Sequence, residues 1–324
     1  MLLGRRDAAD PDVFPKTAEQ FRFAVDFAIE QRANFVLFSG NLFHRPELDP
    51  QTLQIALRGL TRLADKNIEA VAIRGRRELG GDGGMTWHDL LAQEGLLAVL
   101  DAAPVGDGQL ALAPWHRREA TGGYFDLTRC RVFGVRYFGG LSGLAVAAIS
   151  RAIGGLDNRE MDFKIMLLHG LLEHFAPVAG AKISFGDLLL LRRQIDYVAM
   201  GGADATYQAE DWAYNPGAGG FYHVLVDTAV QPKHQARFVP YPASMTVPRP
   251  AAATVRARRA DVEEGIFDEL CASGADGGQE LSPALRRDVV RLLTLTIWSQ
   301  GAEEDIHQRL LELAGRDAGL THAV

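Results

Sequence analysis

Four short polar segments stand directly after apolar runs, and they hold the side chains best suited to chemistry: Gly40-Asn41-Leu42-Phe43-His44, Arg74-Gly75-Arg76-Arg77-Glu78, His169-Gly170 and Gly201-Gly202-Ala203-Asp204. In open α/β sheets, ligands bind where loops leave the carboxyl ends of strands, so these segments form the candidate site. The adjacent cations Arg76 and Arg77 allow three interpretations: solvated side chains, ion pairs with Asp204 or Glu78, or a phosphate site. We expect an internal ion pair.

The residues around these segments predict alternating helices and buried strands. Apolar residues at helical spacing predict helices over about 17–32, 50–65, 86–94, 141–153 and 185–193. Continuous apolar runs predict strands at 35–38, 70–73, 97–100, 164–168 and 195–200. Shorter strands are expected around Leu110, Leu112, Val132, Phe133 and Val135. An antiparallel pair is expected between 221–226 and 235–239, so the fold class is α/β.

In order and spacing, the four segments resemble the signature loops of calcineurin-like metallophosphoesterases, specifically of the SbcD-type nucleases of DNA double-strand-break repair. That family's loops read roughly GDLFH, RGNHD, LLHG and GHxH after an N-terminal DxHLG, and they hold two divalent metals that activate water against a phosphodiester. Asn215-Pro216-Gly217 and Gly220-Phe221-Tyr222 resemble the family's NPGS and GFY regions. The resemblance implies a β-sandwich flanked by helices and a small C-terminal α/β capping domain.

The chain departs from the family's pattern in its first two motifs. Met1-Leu2-Leu3-Gly4 matches only the end of DxHLG, so we expect the first strand and its Asp to be missing. Leu2 then stands where the family has a His. Asn41 replaces the bridging Asp, which removes a charge and keeps a neutral oxygen. His169 is the one clear survivor among the ligand positions that the resemblance implies.

The remaining motifs exchange metal-binding side chains for cations, glycine or Asp. Arg76 and Arg77 stand where the family has an Asn and a His, and Gly202 and Asp204 stand where it has two histidines. At about 4 Å and an effective dielectric of about 20, two like unit charges repel by on the order of 4 kcal/mol. A divalent ion beside an arginine is therefore disfavoured, and we expect no metal cofactor.

These substitutions predict an SbcD-like pseudoenzyme, inactive or strongly impaired as an exonuclease, that binds DNA or a partner as a scaffold. Arg76 and Arg77 would then contact phosphate, and His169 and Asn41 would be vestiges of a catalytic site. The alternative is a metal-dependent nuclease or phosphoesterase with a remodelled single-metal site. In that alternative, Mn²⁺ or Mg²⁺ would bind weakly to Asn41, Glu78, His169 and Asp204.

The resemblance also suggests partners. The helices over 53–63 and 87–97 correspond to the family's dimer region, although ordinary core helices are an alternative. An SMC-like ATPase or an active paralogue would be a further partner, but no helical extension for ATPase docking is recognised before Val324.

Composition sets outer limits on these interpretations. The chain has 324 residues, of which 47% are hydrophobic, and a formal net charge of −7, so no overall positive charge indicates nucleic-acid binding. Cys130 and Cys271 have neither disulfide-framework nor zinc-site spacing. Because no leader or membrane span is recognised, we expect a cytoplasmic protein without membrane contact. We expect a phosphoesterase-like domain over 1–243, a linker rich in Pro and Ala over 244–254, and a capping-like domain over 255–324.

Overall fold

The computed structural model describes residues 2–8, 10–79, 85–105, 109–172 and 182–247. The chain divides into two units, Met1–Pro248 and Arg249–Val324. The second unit, with the expected capping-like domain and part of the expected linker, lies outside the described residues. The domain boundaries given above therefore stay predictions.

The helices follow the predicted spacing within the described ranges: α1 Val13–Glu30, α2 Pro50–Ala64, α3 Trp87–Gln93, α4 Ser142–Gly154 and α5 Phe185–Leu189. Local caps define where several of them begin. The Asp49 side chain accepts hydrogen bonds from two backbone N–H groups at the start of α2, and Thr86 and Asp89 form a capping box at α3. The expectation that α5 extends to Arg193 was wrong. After Leu189 the backbone bonds connect residues three apart, as in Arg192 N–H to the Leu189 carbonyl, so the α-helix ends.

The strands are, in chain order, β1 Phe35–Phe38, β2 Glu69–Ala72, β3 Ala98–Val99, β4 Ala103–Pro104, β5 Leu110–Ala111, β6 Tyr124–Leu127, β7 Cys130–Gly134, β8 Phe163–His169, β9 Leu171–Leu172, β10 Lys182–Ile183, β11 Tyr197–Gly201, β12 Tyr207–Ala209, β13 Ala213–Asn215, β14 Gly220–Val226 and β15 His234–Pro240. A parallel sheet has the order β1-β2-β3, and a larger mixed sheet has the order β12-β13-β11-β8-β7-β6. β14 and β15 pair in antiparallel register from Gly220↔Pro240 to Val226↔His234. The predicted antiparallel pair is thus confirmed.

The two main sheets pack face to face, and alternation along the strands shows how. In β2, Val71 belongs to the same buried cluster as Ile165 and Leu167 of β8, whereas Ala70 and Ala72 belong to the cluster formed with α1 and α2. In β8, Met166 and Leu168 instead pack in the cluster formed with α4 and α5. Because successive strand residues point to opposite faces, each sheet is covered by its partner sheet on one side and by helices on the other. The predicted helix-flanked α/β sandwich is confirmed.

Two short strands end sooner than predicted. Leu112 and Val135 lie just beyond β5 and β7. At Gly134, a Cβ atom would stand 2.6 Å from Ile73 Cγ2 of the facing sheet. The chain then leaves the sheet, since Tyr137 N–H donates to the Arg74 carbonyl oxygen in the loop after β2. Val135 stays buried without belonging to a strand.

Candidate functional site

All four predicted loops meet at the carboxyl ends of β1, β2, β8 and β11. Gly170 N–H donates to the Gly201 carbonyl oxygen at 2.9 Å, which joins the loops after β8 and β11. A Cβ at Gly201 would lie 2.1 Å from the Ser39 carbonyl oxygen, so the loop after β11 also lies against the end of β1. The structure therefore brings together the segments in which Asn41, Glu78, His169 and Asp204 were predicted.

Glycines allow these loops to approach one another closely. At Gly40, which has φ +80, a Cβ would lie 2.7 Å from the Gly75 Cα and 2.5 Å from His169 Nδ1. A Cβ at Gly75 would lie 2.5 Å from the Asn41 backbone nitrogen. Neither position can accept a side chain without displacing its neighbours. The imidazole of His169 therefore lies beside two bare stretches of backbone.

His169 is buried and held in one orientation. Its Nδ1 lies 2.8 Å from the Ser39 carbonyl oxygen, and its ring packs edge-on against Tyr137 at 5.6 Å. Because a carbonyl oxygen can only accept, Nδ1 carries the hydrogen, and Nε2 is the acceptor nitrogen of the neutral ring. Burial lowers the pKa of His169, and the hydrogen bond to Ser39 and the charge of Glu78 oppose this only in part. The ring is therefore neutral at pH 7.

Glu78 joins two of the loops through its carboxylate. The side chain is buried, and Oε2 accepts the backbone N–H groups of Asn41 and Gly75, each at 2.8 Å. Oε1 accepts the backbone N–H of Phe43 at 2.7 Å and lies 3.4 Å from His88 Nε2. This carboxylate binds the loop after β1 to the loop after β2. Its oxygens are turned toward amide hydrogens rather than toward an open pocket.

Asn41 supports the same loop pair with its side chain. It has φ +55, a left-handed conformation that Asn adopts more readily than most residues. Its Oδ1 accepts the backbone N–H of Arg77 at 3.1 Å. The amide oxygen that sequence analysis left as a possible metal ligand thus holds the arginine-bearing loop in place.

Arg76 and Arg77 are exposed at the rim of the site. Arg77 is nonetheless partly desolvated, and this partial burial and the charge of Arg76 lower its pKa, while the charge of Asp204 raises it. Asp204 therefore lies close enough to act on Arg77 electrostatically. Of the two carboxylates considered as ion-pair partners of these arginines, Glu78 is engaged elsewhere: it accepts backbone N–H groups and lies 3.4 Å from His88 Nε2.

The N-terminal segment lies alongside the loop after β1. Leu3 forms a parallel bridge with Phe43: its N–H donates to the Leu42 carbonyl oxygen at 2.8 Å, and its carbonyl accepts His44 N–H at 3.0 Å. Gly4 has φ +85, and a Cβ there would lie 2.8 Å from Thr52 Cγ2. The glycine that resembles the end of DxHLG is therefore required by the backbone. Leu2, where the family has a His, offers no metal ligand.

Sequence analysis missed a group of basic residues around His44. The parallel bridge sets Arg5 beside the His44-Arg45 segment. Burial lowers the pKa of His44 to about 4, and the charges of Arg77, Arg5 and Arg45 add to the effect. Among buried polar atoms of the described residues, His44 Nδ1 has no hydrogen-bond partner. Nothing in the sequence places Arg5 near Arg77, because their proximity depends on the pairing of Leu3 with Phe43, about forty residues along the chain.

The donor set does not fit a two-metal centre. Within the described ranges, no group of three or more His, Cys, Asp or Glu side chains is placed to hold a metal ion. The oxygens of Glu78 and Asn41 accept backbone N–H groups, and Arg76 and Arg77 bring two cations to the rim. His169 has the tautomer that suits a divalent ion, because its hydrogen is on Nδ1 and Nε2 carries the lone pair.

Comparison with curated proteins gives short local matches. The DNA double-strand break repair protein Mre11 of Archaeoglobus fulgidus is 34% identical over 83 residues, which are 26% of this chain and 18% of that protein. Mre11 of Methanococcus maripaludis is 33% identical over 73 residues, which are 22% of this chain and 18% of that protein. The match thus spans about a fifth of the length of these relatives. No family model matches the chain.

Solved structures with a similar backbone include TT1561 of Thermus thermophilus, with 14% identity and a TM-score of 0.40, covering 69% of this chain and 94% of that one. The calcineurin-like phosphoesterase YfkN from Bacillus subtilis has 12% identity and a TM-score of 0.38, covering 67% of this chain and 77% of that one. The local matches to Mre11, together with the order of the loops, support the metallophosphoesterase superfamily. Among the described residues, no helix is long and apolar enough to cross a membrane.

Proposed function

We propose that this chain is an SbcD-like member of the metallophosphoesterase superfamily that binds the phosphate backbone of DNA without hydrolysing it. The observation that carries this proposal is the use of Glu78. Its buried carboxylate bonds three backbone N–H groups, from Asn41, Phe43 and Gly75. The loops after β1 and β2 are thereby held together by hydrogen bonds to both oxygens of this one carboxylate, the oxygens that a metal would need.

Arg76 and Arg77 supply the contact to DNA in this proposal. Both are exposed on a loop that is fixed by Asn41 and Glu78. Guanidinium groups bind phosphate oxygens through paired hydrogen bonds, and they need no metal to do so. The short similarity to proteins named for DNA double-strand break repair favours DNA over other polyanions as the ligand.

The test is binding of a duplex DNA at several salt concentrations. The double variant Arg76→Ala/Arg77→Ala should bind more weakly, and the slope of log K against log salt should fall by roughly 2, since each lost phosphate contact contributes about 0.9. The matched control is Arg117→Ala, which removes an exposed arginine that pairs with Glu69 on another part of the surface.

Metal analysis and a manganese-dependent nuclease assay on the same preparation complete the test. We expect neither stoichiometric Mn²⁺ nor cleavage. Tightly bound Mn²⁺, together with nuclease activity that His169→Ala abolishes, would overturn the non-catalytic proposal.

One observation favours the second candidate, a remodelled single-metal phosphoesterase. The bond from His169 Nδ1 to Ser39 leaves Nε2 as the acceptor, the form in which histidine binds Mn²⁺ or Mg²⁺. Asp204 would have to serve as a second ligand. A weak Mn²⁺ affinity that both His169→Ala and Asp204→Asn abolish would favour this candidate.

We further propose that the chain acts with a protein partner, either as a homodimer or with an SMC-like ATPase or an active paralogue, in the cytoplasm. Local similarity to repair proteins motivates this proposal. Light scattering of the purified chain distinguishes a dimer from a monomer, and co-purification with tagged candidates tests the other two. A monomer that captures neither candidate would reject the proposal.

A further inference from the structure

A cluster of arginines extends the rim beyond the loop after β2. We call it the arginine cluster, and its members are Arg5, Arg45, Arg76 and Arg77. Backbone contacts bring them together. The Leu3↔Phe43 bridge sets Arg5 beside the segment that holds Arg45, and the bond from Arg77 N–H to Asn41 Oδ1 fixes the second loop against the same segment.

The charge effects on His44 and Arg77 agree with this placement. The charges of Arg5, Arg45 and Arg77 all act on His44, and those of Arg5 and Arg76 act on Arg77. Among the ion pairs within the described ranges, the neighbouring Arg6 pairs with Asp49, whereas no member of the arginine cluster takes part.

The local charge balance indicates which ligand would fit. The acidic residue that acts on Arg77 is Asp204, and Glu78 lies in the same loop as Arg76 and Arg77. Four arginines outnumber these two carboxylates, so the arginine cluster carries a net positive charge. His44 adds a buried ring nitrogen, Nδ1, with no hydrogen-bond partner. A phosphomonoester dianion would offset more of this positive charge than an internal phosphodiester, which carries one negative charge.

We propose that the arginine cluster and His44 form a phosphate-binding site that prefers a terminal phosphate dianion, such as the one at a DNA strand end, over the internal phosphates of the duplex. This rests on the proposed function, because the terminal phosphate would belong to the DNA that the scaffold binds. Paired guanidinium contacts to the doubly charged group give the preference.

The experiment compares three forms of one blunt duplex: with 5′-phosphates, with 3′-phosphates and with hydroxyl ends. Binding is measured with the full chain at one salt concentration, and inorganic phosphate is titrated separately by calorimetry. We expect about tenfold tighter binding of one phosphorylated form, competition by inorganic phosphate, and loss of the preference in Arg5→Ala and Arg45→Ala. Arg159→Ala is the matched control, because Arg159 is exposed and pairs with Asp157 before β8, at the other end of that strand.

The outcomes separate this inference from the proposed function. Equal binding of all three duplexes, with no calorimetric signal for inorganic phosphate, would overturn the site while leaving DNA binding intact. Binding of inorganic phosphate that Arg45→Ala abolishes, without DNA binding, would support the site and reject the scaffold function. Loss of preference in Arg159→Ala as well would also overturn the assignment. Circular dichroism of each variant checks that the fold is kept.

Discussion

Replacing Glu78 by Gln tests whether one carboxylate holds the loops of the site together. Glu78 is 2% exposed and accepts N–H groups from Asn41, Phe43 and Gly75. Glutamine has nearly the same shape but only one oxygen. Placed with that oxygen at the Oε2 position, it keeps the Asn41 and Gly75 bonds and turns its NH₂ group toward the N–H of Phe43.

The expected loss follows from these bonds. Changing a charged acceptor to a neutral one weakens two hydrogen bonds by about 1 kcal/mol each, and leaving the buried Phe43 N–H without an acceptor costs about 1–3 kcal/mol. Removing a buried charge offsets part of this loss of stability, because an amide is easier to desolvate than a carboxylate. We therefore expect a local destabilisation of about 3 kcal/mol.

Hydrogen exchange followed by mass spectrometry measures this effect where it occurs. Peptides covering 38–46 and 72–80 should exchange about a hundredfold faster in Glu78→Gln, since about 1.4 kcal/mol corresponds to a factor of ten in the opening equilibrium. Peptides from α4 should not change. The matched control is Glu47→Gln, an exposed carboxylate on the segment after His44. If both variants protect these peptides equally, Glu78 does not hold the loops together.

Three further predictions concern two residues beside the site and one ion pair at the opposite end of the larger sheet. Gly4→Ala should lower the free energy of unfolding, measured by chemical denaturation, by about 2 kcal/mol or more. The loss should be larger than in Gly139→Ala, because both glycines have positive φ but only Gly4 lacks room for a Cβ. Equal losses in the two variants would contradict this. The pKa of His44 is lowered to about 4 from 6.5, so the unfolded chain binds more protons between these values, and stability should fall as pH decreases through this window. His44→Gln should flatten that dependence, and an unchanged profile would refute the assignment. Arg131→Lys should lower the free energy of unfolding by about 2 kcal/mol, because the buried guanidinium donates paired hydrogen bonds to the carboxylate of Asp126. Arg159 is exposed, so Arg159→Lys should leave the denaturation midpoint unchanged.

The parts of the fold that sequence predicts best are those in which one local pattern decides the outcome. β1 was predicted with its exact bounds, because Phe35–Phe38 is a short apolar run bounded by polar residues. The convergence of the loops also follows from sequence, since parallel strands carry their carboxyl ends to one edge. The short length of α5 could not be predicted in this way: its apolar residues continue past Leu189 while the backbone bonds change to a tighter turn.

The site was harder to predict because its contacts join distant segments. Glu78 was identified as a possible metal ligand from its type alone. Its actual partners, the N–H groups of Asn41 and Phe43, lie 37 and 35 residues away, and no side chain marks them in the sequence. The closeness of Arg5 to Arg45 likewise depends on the bridge between Leu3 and Phe43. The sequence therefore identified the candidate side chains, whereas their hydrogen-bond partners and neighbours depend on backbone pairing between distant segments.

The residues at the site fit the backbone that carries them. Gly202 has φ +111, and a Cβ there would lie 3.2 Å from the backbone nitrogen of Gly170, so the histidine that the family has at this position would be strained in this backbone. Restoring Asn and His at Arg76 and Arg77 would still leave the Glu78 carboxylate engaged with three amides. Side-chain changes at Gly202, Arg76 and Arg77 alone would therefore not free Glu78 from its amide partners, because the backbone of these loops would have to move as well.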